Sequence, residues 1–154
     1  MSLRPIIAAL KALEETLVLT DPIAVSVAAK NLRVYTISPG RAEKLSSTVN
    51  FMHWPDAASE ERMGPTREDH YSIQIDCLVN VAEVDVGADI ALAMFDLYWP
   101  ILDRERVASR RLSSTVDYFT MRAERPMVEI IEWAGLAYPG FHIFLDIVDF
   151  EVSL

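Results

Sequence analysis

The stretch HYSIQIDCLVNV, residues 70–81, is the cleanest alternating run in the chain. Tyr71, Ile73, Ile75, Cys77, Val79 and Val81 fall on one side, and His70, Ser72, Gln74, Asp76 and Asn80 on the other. A period of two is the signature of an extended strand with one apolar and one polar face. Such a strand needs neighbours along its edges and a cover over its apolar face, which commits the chain to a packed sheet. A cover follows at once in the sequence. Asp85 reads as the N-cap of a helix whose Ile90, Met94, Leu97, Tyr98 and Ile101 make the buried stripe, with Asp89, Asp96 and Asp103 opposite. Pro100 inside that pattern predicts a kink near Trp99 or two consecutive helices.

The remaining elements are read in the same way. Leu3, Ile6, Ile7, Leu10, Leu13 and Leu17 recur at helical spacing, with Ser2 as N-cap and Pro5 in the first turn, where proline is tolerated. TDPIAVSVAAKN leaves a short helix and an irregular segment equally open. LRVYTIS and SSTVNFMHW are β-branched and aromatic runs separated by Pro39 and Gly40, as two connected strands would be. PDAASEERMGPTRED, residues 55–69, is polar and carries two prolines and a glycine, and reads as a long exposed loop. TVDYFTMRA is a weak segment, followed by MVEIIEW, a turn region AGLAYPG and a terminal strand.

That strand, GFHIFLDIVDFEVSL, places Phe141, Ile143, Leu145 and Ile147 on one face. Asp149 takes the next place there, while Phe150, Val152 and Leu154 continue on the other. The switch predicts a β-bulge or sharp bend near Val148 and Asp149. Together the elements predict one α+β domain over residues 1–154, a mainly antiparallel sheet packed against two principal helices.

Composition narrows function. The formal net charge of −9 and pI near 4.7 argue against sequence-independent attraction to nucleic-acid phosphate. Charge is unevenly placed: Arg104, Arg106, Arg110, Arg111, Arg122 and Arg125 are six of the fourteen basic residues, and none lies beyond residue 125. Lys11, Glu14 and Glu15 break the first apolar run, so it does not read as a signal peptide, and no apolar run has membrane-spanning length. Cytoplasmic synthesis is the working expectation. Cys77 is the single cysteine, which excludes an intramolecular disulfide.

Catalytic and ligand-binding patterns are weak. His53, Asp69 and His70 are the residues from which a metal site would draw, but no spacing puts two imidazoles on one element. Asp89, Asp96 and Asp103 stand about 10 Å apart along a helix, too far to share a small ion. There is no nucleophile elbow and no glycine-rich phosphate loop. The expectation is no catalytic residue, no cofactor and no metal, with Trp54, Trp99 and Trp133 as core or interface anchors.

The order of these elements resembles a known family. A short amphipathic helix, LRVYTIS, a proline-containing crossover, HYSIQIDCLVNV leading through Asp85 into ADIALAMFDLYWPIL, and a closing aromatic-rich strand resemble the tail terminator or tail completion proteins of long-tailed phages, the minor tail protein U-like group. The resemblance implies a non-enzymatic virion protein of the tail or neck, assembled in the host cytoplasm as a hexameric ring. That ring would contact the tail tube protein and a head completion or neck protein, and DNA would pass through its acidic lumen without tight binding. No membrane is involved. Within such a ring the charge map predicts a contact between Arg104, Arg106, Arg110 and Arg111 of one subunit and Asp146, Asp149, Phe150, Glu151 and Val152 of the next. Alternatives are another neck or head completion protein, and a small-molecule-binding α+β domain.

Overall fold

The alternating stretch becomes the middle of the sheet. In the computed structural model, residues 3–17, 32–35, 45, 47–106, 118–123 and 128–152 are described. They form helices α1 (Leu3–Glu15) and α2 (Val84–Glu105), and strands β1 (Leu32–Val34), β2 (Val49–Met63), β3 (Thr66–Val79), β4 (Tyr118–Ala123), β5 (Glu129–Trp133) and β6 (Leu136–Val152). The sheet order is β1-β2-β3-β6-β4, with β5 also paired to β6. Every pairing is antiparallel except β1 with β2. The molecule is a single α+β domain, as expected.

Both helices cover one face. Ile6, Ile7 and Leu10 of α1 and Ile90, Met94, Phe95, Tyr98 and Leu102 of α2 bury against Phe51, Ile73, Ile75, Cys77, Phe141, Ile143, Leu145 and Ile147. Phe51 is the hub, its ring 5.4 Å from Tyr98 and 6.2 Å from Phe141 in edge-on contacts. The helix that α2 forms runs through Pro100 as one element, and its N-cap is Glu83 rather than Asp85, which lies in the first turn. Proline costs a helix one hydrogen bond, and the buried residues on either side of Pro100, Tyr98 and Leu102, hold both turns to the sheet. Gly87 lets α2 approach β6, since a Cβ there would lie 2.9 Å from the Pro139 ring.

Two expectations are corrected. Residues 55–69 are not a loop but the outer half of a β-hairpin. Met63 pairs with Thr66, and only Gly64 and Pro65 make the turn. Gly64 at φ 62° takes the first turn position, where a type II′ hairpin wants glycine, and proline's fixed φ suits the second. The terminal strand likewise has no bulge at Val148 or Asp149: its register with β3 runs unbroken from Leu78↔Gly140 to Thr66↔Val152. The change of apolar side marks a change of cover, because Val148 is buried on the side opposite Ile147, and Tyr118 packs on Phe150 there.

The register shift lies instead in β2, between Pro55 and Ala57, where Asp56 is the extra residue. Proline has no N–H to give the ladder, and a bulge is where a strand tolerates one. β6 has its own tight point at Gly140, where a Cβ would sit 2.1 Å from the Cys77 carbonyl oxygen. Gly140 pairs with Leu78 on one side and Glu129 on the other, so β5 lies on the edge away from β3. The β5–β6 turn, Ala134 and Gly135 at φ 51° and 75°, is a tight hairpin that brings Trp133 and Tyr138 onto Met52 and Leu78 of the second face. No helix among the described residues is long and apolar enough to cross a membrane.

Candidate functional site

Alternation puts His53 on the helix-covered face, where it meets Glu14 of α1 and Tyr98 of α2, all three at 0% exposure. His53 Nδ1 stands 2.8 Å from the Tyr35 carbonyl oxygen, an acceptor, so Nδ1 carries a hydrogen and donates it. Nε2 then faces the Glu14 carboxyl, 2.6 Å from Oε1 and 2.8 Å from Oε2, and its hydrogen-bond geometry favours Oε2. The Tyr98 hydroxyl donates to the same Oε2 at 3.0 Å. Burial pushes the Glu14 carboxyl above its ordinary value, and the bonds from His53 and Tyr98 oppose that rise. Burial, with Glu14 beside it, raises the Tyr98 phenol well above its usual range, and burial raises the Cys77 thiol in the same way. A set so enclosed ties α1, α2 and β2 together and offers no path to a substrate.

The other face carries the open site. Gln74, Asp76 and His142 share it because Asp76 and His142 are direct cross-strand partners. Asp76 gathers three donors: Trp54 Nε1 at 2.7 Å to Oδ2, Gln74 Nε2 at 2.8 Å to Oδ1, and His142 Nδ1 at 2.5 Å to Oδ1. The second nitrogen of His142, Nε2, lies 2.7 Å from Glu129 Oε1. A carboxylate at each ring nitrogen fixes the orientation of His142. Trp133 of β5 closes the corner, its ring 6.0 Å from Trp54 at 61°. Beside this pair lies a cleft of about 350 Å³, lined by Trp54, Pro55, Asp56, Gln74, Asp76, Ile131, Glu132, Trp133 and His142.

The three residues from which a metal site could have drawn do not come together. His53 is on the helix side, whereas Asp69 pairs with Arg67 at 3.1 Å on the hairpin. Among the described residues, the group close enough to hold an ion is Glu61, Glu68 and His70, with Glu61 and Glu68 directly opposed across the hairpin. The predicted interface residues are also dispersed. Arg106 pairs with Asp103 of its own helix at 2.7 Å, and Asp146 accepts a hydrogen bond from the Ser72 hydroxyl at 3.0 Å. Arg104 lies in the last turn of α2, Asp149 is half-buried opposite Asp69, and Phe150 is exposed. Glu151 and Val152 lie in the last paired positions of β6, and Arg110 and Arg111 lie outside the described residues.

The cleft was not legible in the sequence. Its polar members sit on the polar side of two alternating strands, where solvated residues are the default. Their convergence depends on the Asp76↔His142 register and on the curl of the β5–β6 hairpin. No protein-family model matches this sequence, and no curated protein matches it either.

Proposed function

We propose that the chain is a structural virion protein of a phage tail or neck, a tail terminator that caps the tube as a ring. The observation that carries this reading is a long strand edge with no partner strand among the described residues. β1 pairs only with Val49–Phe51, so from Met52 to Met63 the outer edge of β2 has no partner strand among the described residues. At about 3.3 Å per residue that edge runs roughly 40 Å. Unpaired edges of this length are templates for another chain. This one is guarded by Glu60, Glu61 and Arg62, all exposed, which discourages indiscriminate pairing and favours a partner of matched charge. Large apolar side chains lie exposed at that end of the sheet: Met63 at 75%, with Phe150 and Tyr118 at 44% each.

A ring places two different surfaces of each subunit in contact. In this reading the hairpin supplies one of them, a role that replaces the exposed loop expected at residues 55–69. The net charge of −9 suits a channel through which DNA slides, because a wall that attracted phosphate would hold it. The proposal includes contact with the tube protein and a neck protein, and no catalytic activity. Light scattering on the purified chain, alone and with tail tubes, tests it. Rings of about six subunits support it, and a chain that stays monomeric with tubes present counts against it. A second reading, a small-molecule-binding domain, is favoured by the cleft at Trp54 and Trp133.

A further inference from the structure

We propose that Glu61, Glu68 and His70 on the β2–β3 hairpin form a binding site for a divalent transition-metal ion of the zinc type. Geometry is the first reason. Glu61 and Glu68 are direct cross-strand partners, and His70 follows Glu68 by two on the same strand, so alternation sends all three side chains to one face. One ligand atom from each lies within 4.8 Å of the others. Two ligands about 2.1 Å from a shared ion stand at most about 4.2 Å apart, so closing on one takes roughly half an ångström. Side chains that are exposed or half-buried have room for that movement, while the ladder fixes the strands beneath them.

The second reason is a nitrogen without a hydrogen bond. His70 Nε2 is closed off from solvent and makes no hydrogen bond among the described residues, although it stands 3.0 Å from Glu68 Oε1. A donor and an acceptor that close normally align, whereas two ligands turned toward a common centre do not. Neutral imidazole is the commonest of metal ligands among side chains.

Charge is the third. Carboxylates directly opposed across two strands repel, and the arginines of the hairpin do not relieve them. Arg62 and Arg67, paired on the next rung, alternate to the other face, where they hold Glu60 at 2.6 Å and Asp69 at 3.1 Å. On the side of the proposed site, β6 offers Phe150 opposite Glu68 and Val148 opposite His70, side chains with nothing to donate. One imidazole and two carboxylates, with a further position left to water, make a donor set for zinc rather than for magnesium or calcium, which take oxygen shells. Such an ion clamps the hairpin where its β2 limb, Ala58 to Met63, is exposed.

The inference does not depend on ring assembly. The test is titration of the full chain with zinc chloride, followed by calorimetry and by the ring signals of the three histidines, assigned with single His→Gln variants. Magnesium chloride is the control. Saturable binding that moves the His70 signals, with those of His53 and His142 unmoved, is expected. Glu61→Gln and His70→Gln should keep the fold by circular dichroism and each weaken binding about tenfold or more. Glu60→Gln, which removes a carboxylate of the opposite face, should leave binding unchanged. The proposal is overturned if zinc does not saturate by about 1 mM, if magnesium moves the His70 signals equally, or if the response centres on His53 or His142. It is also overturned if Glu60→Gln weakens binding as much as Glu61→Gln, or if the two site variants bind unchanged, which would mark an adventitious ion only.

Discussion

Replacing His53 by leucine tests whether the enclosed Glu14–His53–Tyr98 set behaves as a single unit. The substitution leaves the Glu14 carboxyl at 0% exposure with the Tyr98 hydroxyl as its remaining side-chain donor in the set, and strips the Tyr35 carbonyl of its donor. Breaking a buried pair on one side costs about 3–5 kcal/mol, a large share of the 5–15 kcal/mol typical of a domain's whole stability. With an m-value of about 2 kcal/mol per molar urea, the unfolding midpoint should fall by about 2 M. The triple variant Glu14→Met, His53→Leu, Tyr98→Phe removes every member of the set and leaves chiefly the Tyr35 carbonyl to satisfy. It should therefore be more stable than His53→Leu alone, and far more stable than the three single losses added together. Urea unfolding followed by circular dichroism at neutral pH measures all five proteins. A His53→Leu loss below about 1 kcal/mol, or a triple variant that equals the sum of the singles, would refute the reasoning.

The set also predicts a pH dependence. Glu14 has its folded value raised above the ordinary 4.5, so its contribution to stability is fully present below 4.5 and is lost as pH rises through the folded value. The stability of wild type minus that of Glu14→Gln should therefore fall as pH increases from 4.5; a difference that rises across that range contradicts the assignment. Gly140→Ala should be strongly destabilising, because the new Cβ would meet the Cys77 carbonyl at 2.1 Å, and a melting temperature within a degree or two of wild type would show that β3 and β6 are not so close. Cys77 is fully buried with its thiol pushed up by burial, so maleimide labelling should proceed no faster than unfolding; prompt labelling under native conditions would place the residue elsewhere.

How legible the molecule was depended on whether a feature was local. The strand within 70–81 and the helix after it were legible because each carries its own period and Ile90, Met94 and Tyr98 have a single face to bury, though the strand ends at Val79 and the N-cap is Glu83 rather than Asp85. The 55–69 hairpin was misread for a physical reason. Its β2 limb is exposed on both sides from Ala58 to Met63, so nothing imposes apolar alternation there, and Pro55 sits at a bulge that hides the strand. The unbroken register of β6 was hidden likewise, since a change of cover and a bulge leave the same trace in sequence. His53 carried no motif spacing that marked its burial. Its parity with Phe51 placed it on the apolar face, and that was the available signal. The cleft depended on a cross-strand pair and a curled hairpin, neither of which leaves a local pattern.

As proposed, the chain ends a tail tube by docking through the β2 edge that has no partner strand among the described residues. Electron microscopy of tails assembled with and without the chain tests it most directly. Tails of uncontrolled length in its absence, restored to uniform length when it is supplied, are the predicted result. Tails of normal, uniform length without it would contradict the account.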